Sequence, residues 1–229
     1  MRARWGALLL LSTIAQAQQA PVVYQIAFPN AVHREAEITA SFREVPAGPF
    51  RVRMARSSPG RYAVHEFAKN VYAFRATDAQ GHALEVTRVS PHEWSIRGHR
   101  GAVDVRYTLY ADRADGTYAG VDETRAHLNI PATFAFAPTL ATRPIRVTFH
   151  RPDPAWRIAT QLQPTDDAET FRAPNLQYFM DSPTHLGVLD IRSWEVTSGG
   201  RTQTIRLAMD HTGTADEVTA YAVTSSAVP

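Results

Sequence analysis

Ala36-Glu37-Ile38-Thr39-Ala40-Ser41-Phe42 is the stretch on which the fold turns. Four apolar side chains alternate with three polar ones. A period of two sends successive side chains to opposite faces of a strand, so one face of this segment belongs in a core. The same alternation recurs in Phe50, Val52 and Met54 against Arg51, Arg53 and Ala55. Upstream, Val22 to Phe28 is a dense run of β-formers ended by Pro29-Asn30. Downstream, Tyr72 to Thr77 and Leu84 to Val89 flank the turn Asp78-Ala79-Gln80-Gly81, which predicts a hairpin.

Further strands are expected at Trp94 to Ile96, Val103 to Tyr110, Ile145 to Phe149, Trp156 to Ile158, Leu186 to Val196 and Thr204 to Met209. About a dozen short strands, spaced by Pro and Gly, predict an all-β fold: an antiparallel β-sandwich or a related barrel. Two breaks interrupt the pattern. Residues 111–141 are loop-rich, and residues 174–187 hold one expected helical turn around Leu176 to Met180. Near the end, Thr214 stands three residues before Glu217, a capping box that starts a helix near Ala215. We expect that helix to begin a second domain; a helix packed back on the sheet is the plain alternative. The division expected is a leader over 1–17, a β-sandwich over 18–212 and the start of a helical catalytic domain, truncated, over 213–229.

The leader reads as a secretory signal. Arg2 and Arg4 precede an apolar run from Gly6 to Ala15, and Ala15-Gln16-Ala17 is a small-x-small cleavage site. The expected location is therefore periplasmic or secreted, with no membrane attachment after cleavage. The chain has 24 basic and 22 acidic side chains, a net of +2. Removing Arg2 and Arg4 brings the mature chain to neutrality. No segment clusters basic residues, so nucleic acid is not an expected partner. Cysteine is absent, which excludes disulfides, thiolate metal sites and cysteine nucleophiles.

His65-Glu66-Phe67-Ala68 comes within one residue of H-E-x-x-H, the helical zinc motif, but Lys69 stands where the second histidine belongs. An ammonium repels a cation, and the segment runs straight from Pro59-Gly60 into a strand, leaving little room for two helical turns. An ordinary surface or hydrogen-bonded histidine is the expectation. His92-Glu93 lies in strand-like sequence, where i and i+4 form no clamp. The other histidines are scattered, with no H-x-H or H-x3-H pair. Asp112 to Thr117 has the flavour of a calcium loop but not its ligand spacing, and Asp166-Asp167 reads as a solvated turn. No nucleophile elbow, P-loop or dinucleotide fingerprint is present.

Ser58-Pro59-Gly60-Arg61-Tyr62 through His65-Glu66-Phe67-Ala68-Lys69-Asn70 resembles the P-G-S-Y-x-x-R-E-F-A-R-N run of the glycyl aminopeptidase family (peptidase family M-sixty-one). The likeness continues in step through Asp78 to Gly81, Trp94, Tyr107 to Ala111, Ala126 to Phe134 and Asp181-Ser182-Pro183 to Gly187. It spans Tyr24 to about Ala222.

That resemblance implies zinc aminopeptidases with an N-terminal β-domain, a thermolysin-like catalytic domain and often a PDZ-like domain. The family's zinc motif lies in the catalytic domain, and its positions matching His65 and Lys69 usually carry Arg. No catalytic or metal residue is therefore carried over, and no cofactor is expected in this chain; zinc is expected in the catalytic domain. Arg61, where the family has a small Ser, is a departure. The implied role is a non-catalytic domain that packs against the catalytic domain and walls its cleft. The expected partners are that domain and the peptide substrate. Asn129 and Asp181, in the two irregular segments, are the candidates for facing the cleft. The alternative is a standalone exported β-sandwich that binds peptide or glycan.

Overall fold

A computed structural model describes residues 19–226, so the expected leader lies outside the described residues. Sixteen strands run through the described chain. The first eight are β1 (Val22–Ala27), β2 (Glu35–Arg43), β3 (Phe50–Arg53), β4 (Val71–Thr77), β5 (Glu85–Ser90), β6 (Glu93–Arg97), β7 (Ala102–Tyr110) and β8 (Ala119–Val121). The rest are β9 (Arg125–Leu128), β10 (Ile145–Phe149), β11 (Arg157–Thr160), β12 (Gln163–Pro164), β13 (Thr170–Ala173), β14 (Thr184–Gly187), β15 (Asp190–Ser198) and β16 (Arg201–Met209). Helices are few: α1 (Ile130–Thr133), α2 (Leu176–Met180) and α3 (Ala215–Ser226). The fold is all-β and sandwich-like, with more strands than the dozen expected.

The alternation that opened the reading is the core itself. Ala36, Ile38, Ala40 and Phe42 of β2 are buried, and so are Val103, Val105, Tyr107 and Leu109 of β7, its antiparallel neighbour. Both strands lie in a seven-stranded sheet of order β12-β13-β10-β1-β2-β7-β4. A three-stranded sheet, β3-β6-β5, and a four-stranded sheet, β11-β14-β9-β8, share one hydrophobic cluster with it. Phe42 meets Phe50 edge-on at 5.2 Å, Phe74 stacks on Trp94 at 4.2 Å, and Phe28 meets Trp156 at 6.3 Å. These aromatic pairs bind the large sheet to the two smaller ones.

Two expectations are corrected. Asp78 to Gly81 is a turn, with the Asp78 carboxylate accepting the Gln80 and His82 amides at 2.9 Å each. Its flanking strands do not form a hairpin. β4 pairs with β7, across a bulge between Tyr72 and Arg75, whereas β5 pairs with β6. Only an isolated bridge, Thr77 to Ala83, joins the two arms. The edge of β7 and the edge of β6 satisfy the backbone of these arms, so the turn switches sheets. The large sheet is also not wholly antiparallel, because β1 and β10 run parallel from Val22↔Ile145 to Ile26↔Phe149.

Polar clamps hold the irregular middle of the chain against the large sheet. The buried Tyr107 hydroxyl donates to the Thr133 carbonyl at 2.7 Å and accepts the Ala135 amide at 2.9 Å. Tyr24 donates to the Ala135 carbonyl at 3.1 Å. Burial pushes both phenols far above their ordinary range, so they remain neutral donors. Backbone groups that the α1 segment cannot satisfy by itself are thereby satisfied by the sheet beneath it.

Candidate substrate-facing cleft

Ser58-Pro59-Gly60-Arg61 forms a tight turn, with the Arg61 amide donating to the Ser58 carbonyl at 3.0 Å. Gly60 has φ +73°, and Pro followed by Gly is the pair a type II turn requires. The root of this loop is fixed. Ser58 is buried and donates to Asn129 Oδ1 at 3.2 Å, while Asn129 Nδ2 donates to the Thr117 carbonyl. Asn129 is itself buried and precedes α1. The loop's tip is free by contrast: Tyr62 and Val64 are fully and largely exposed.

Opposite the loop stands α2. Asn175 caps it by accepting the Tyr178 amide at 2.9 Å, and Phe179 anchors it by stacking on Tyr24 at 5.2 Å. Between loop and helix lies a cleft of about 650 Å³, within the range of small-ligand sites. Ser57, Pro59 and Arg61 form one wall, Pro131 and Phe136 the floor, and Leu176, Gln177 and Met180 the other wall. Arg53 braces the floor, exchanging backbone hydrogen bonds with Phe136 at 2.9 and 2.8 Å and laying its guanidinium over that ring.

The two irregular segments therefore meet at one cleft, although Asn129 and Asp181 do not line it. Asn129 lies beneath, tying the 58–61 turn to the loop at Thr117. Asp181 is exposed, directly after α2, where its amide donates to the Gln177 carbonyl at 3.2 Å and its carbonyl accepts from Gln161. Lining residues such as Ser57 on the loop and Gln177 on α2 were not singled out from sequence, and Arg61 was noted only as a departure from the family's small Ser. The Pro-Gly turn was the available signal.

His65 and Lys69 take structural places. Phe67–Asn70 is a 3-10 turn, so the helical i, i+4 face of a zinc motif does not exist here. The His65 ring stacks on Phe67 at 5.2 Å, and Tyr118 sits under the Lys69 ammonium at 5.5 Å and the Arg113 guanidinium at 4.4 Å. These residues do not fit the family's zinc. Among the described residues, no three His, Asp or Glu side chains converge as a metal cage. Asp115 in the calcium-like loop spends its oxygens on the Thr117 and Tyr118 amides and on Arg113.

Comparison with solved structures finds the same architecture in an aminopeptidase N family protein from Idiomarina loihiensis, at TM-score 0.73 and 20% identity. The match covers 87% of this chain and 34% of that one, so the chain spans about a third of that relative's length. An M1 zinc metallopeptidase from Deinococcus radiodurans, bound to a Tyr-Ser-Ala substrate, aligns over 82% of this chain and 46% of its own at TM-score 0.43 and 13% identity. A search of curated proteins found no match. Residues 23–188 match the Peptidase M61 N-terminal domain, which takes in the Pro-Gly loop, the α1 segment and α2 together. The chain therefore belongs to the peptidase M61 family, through that N-terminal domain.

Proposed function

We propose that this chain is the non-catalytic N-terminal β-domain of an exported zinc aminopeptidase, and that the cleft between the 57–61 turn and α2 walls one side of the peptide's path. Zinc and the residues that work with it would belong to a separate catalytic domain, for which α3 would be the first helix. The cleft carries the reading: two segments more than a hundred residues apart in sequence, the turn pinned by the buried Ser58–Asn129 pair and α2 by the buried Phe179 ring, form one mixed polar and apolar surface. Peptide recognition needs such a surface, with a few fixed polar groups among apolar ones. Export is supported by the charged, apolar and small-residue order of residues 1–17.

The test is enzymatic. Purified chain with added zinc is expected to leave glycyl- and alanyl-anilides intact, and the same chain joined to an M61 catalytic domain is expected to turn them over. Filling the cleft with Gln177→Trp should then raise KM for a tripeptide more than it changes kcat, the mark of a lost binding contact. Chelator-sensitive turnover by the chain alone would overturn the reading.

A further inference from the structure

A second polar locus lies on the outward face of the four-stranded sheet, away from the cleft. In β9 the inward residues Ala126 and Leu128 bracket His127, and in β14 Thr184 and Leu186 bracket His185. The register places His127 directly opposite His185. Their Nδ1 atoms face each other at 3.5 Å. Across the sheet, the row is completed by Gly120 beside His127 and Ala159 beside His185, the two smallest kinds of side chain.

That separation has chemical meaning. Two imidazole nitrogens each about 2.0–2.1 Å from one tetrahedral metal lie about 3.4 Å apart. A neutral pair can share one proton instead, but 3.5 Å is long for such a hydrogen bond. The surroundings favour a cation. His185 Nε2 is buried without a hydrogen-bond partner and lies 3.4 Å from Asp210 Oδ2, and Arg125 holds Asp210 by an ion pair at 2.7 Å. A short swing of the ring would let Nε2–H donate to that carboxylate, the arrangement that keeps the proton on the far nitrogen and leaves the near one's lone pair free. Arg125 is balanced by both Asp210 and, at 3.6 Å, Asp122, so its charge is not left uncompensated beside the pair.

We propose that His127 and His185 form a two-imidazole site for a borderline divalent cation of the Zn²⁺ class, with Asp210 as the positioning residue behind His185. Water or an incoming ligand fills the remaining positions. Imidazole donors select Zn²⁺, Cu²⁺ and Ni²⁺ over Mg²⁺ and Ca²⁺. Asp210 lies between β16 and α3, so an occupied site fastens the segment that leads into α3 onto the sheet. The inference stands apart from the peptide-path reading, because it needs neither a catalytic domain nor turnover.

The experiment uses the tag-free chain. Calorimetric titration with Zn²⁺ is expected to show one equivalent bound, and the Cu²⁺ complex is expected to show two imidazole nitrogens in its electron paramagnetic resonance spectrum. His127→Gln and His185→Gln should each weaken Zn²⁺ binding at least tenfold and reduce the Cu²⁺ signature to one nitrogen. Asp210→Asn should weaken binding about 10- to 100-fold. Should a variant fail to fold, Cu²⁺ broadening of the ¹⁵N imidazole resonances in the unaltered chain reports the same ligands. Zn²⁺ affinity unchanged in both histidine variants, broadening confined to other histidines, or no binding at about 1 mM Zn²⁺ would overturn the proposal.

Discussion

The β2–β7 ladder and the β15–β16 ladder are the same object by backbone criteria and opposites by burial. Each pairs two nine-residue antiparallel strands in unbroken register. β2 and β7 place eight apolar side chains in the core, whereas β15 and β16 are exposed along most of their length. β2 and β7 also have neighbours on both sides, while the β15–β16 ribbon forms a sheet of its own. Hydrogen bonds set the shape in both cases, and burial decides which ladder holds the molecule together. A lone ribbon is only marginally stable in water, and the β15–β16 pair has the form of an arm.

The largest break in that comparison should come from Phe42→Ala, which removes a ring from the center of the shared core. We expect a loss of about 3–5 kcal/mol in denaturant unfolding. Tyr107→Phe comes next. It strips the hydroxyl from the Thr133 carbonyl and the Ala135 amide, leaving buried backbone groups unpaired at a cost of about 1–3 kcal/mol. Asn129→Ala should cost less globally, about 1 kcal/mol, but should show its effect locally. Faster hydrogen exchange at Arg61, with the β2 and β7 amides unchanged, would mark the freed turn; exchange that quickened throughout would refute a local role.

A smaller effect depends on pH. Burial works to raise the Asp122 carboxyl, but the Thr124 hydroxyl, the Thr124 and Arg125 amides and the Arg125 guanidinium hold it below the ordinary carboxylate value. A carboxylate depressed in the folded state contributes stability that is complete above its unfolded value, about 3.9, and is lost as pH falls through the folded one. Asp122→Asn should therefore flatten the acid limb of the stability curve below about pH 4 and leave neutral-pH dependence alone. An unchanged acid limb would show that other carboxylates dominate. The least effect is expected in the arm: Val196→Ala should change stability by no more than about 0.5 kcal/mol, and a Phe42-sized loss there would erase the distinction between the ladders.

Local pattern carried much of the fold. The alternation of Ala36 to Phe42 and of Val103 to Tyr110 appears in the burial of β2 and β7, and the helical turn at Leu176 to Met180 is α2. Partner choice was not legible. Nothing in Tyr72 to Thr77 says that its partner is β7, because period-two alternation specifies a face and not a neighbour. The cleft was half legible for a related reason. Asn129 and Asp181 were the candidates because their segments are irregular, but the residues that line the cleft are set by how those segments cross. His127 and His185 lie 58 residues apart, with no spacing signal, and only strand register brings them together.

The Pro-Gly loop has a consequence for how the protein can change over time. Its root, Ser58 with Asn129, is buried and polar, so substitutions there trade against the fold. Its tip, Tyr62 to Val64, touches little, so substitutions there are nearly free. Arg61 sits at the border between the two, on the cleft wall. A loop divided in this way lets drift explore new surface chemistry one residue at a time while the scaffold stands still.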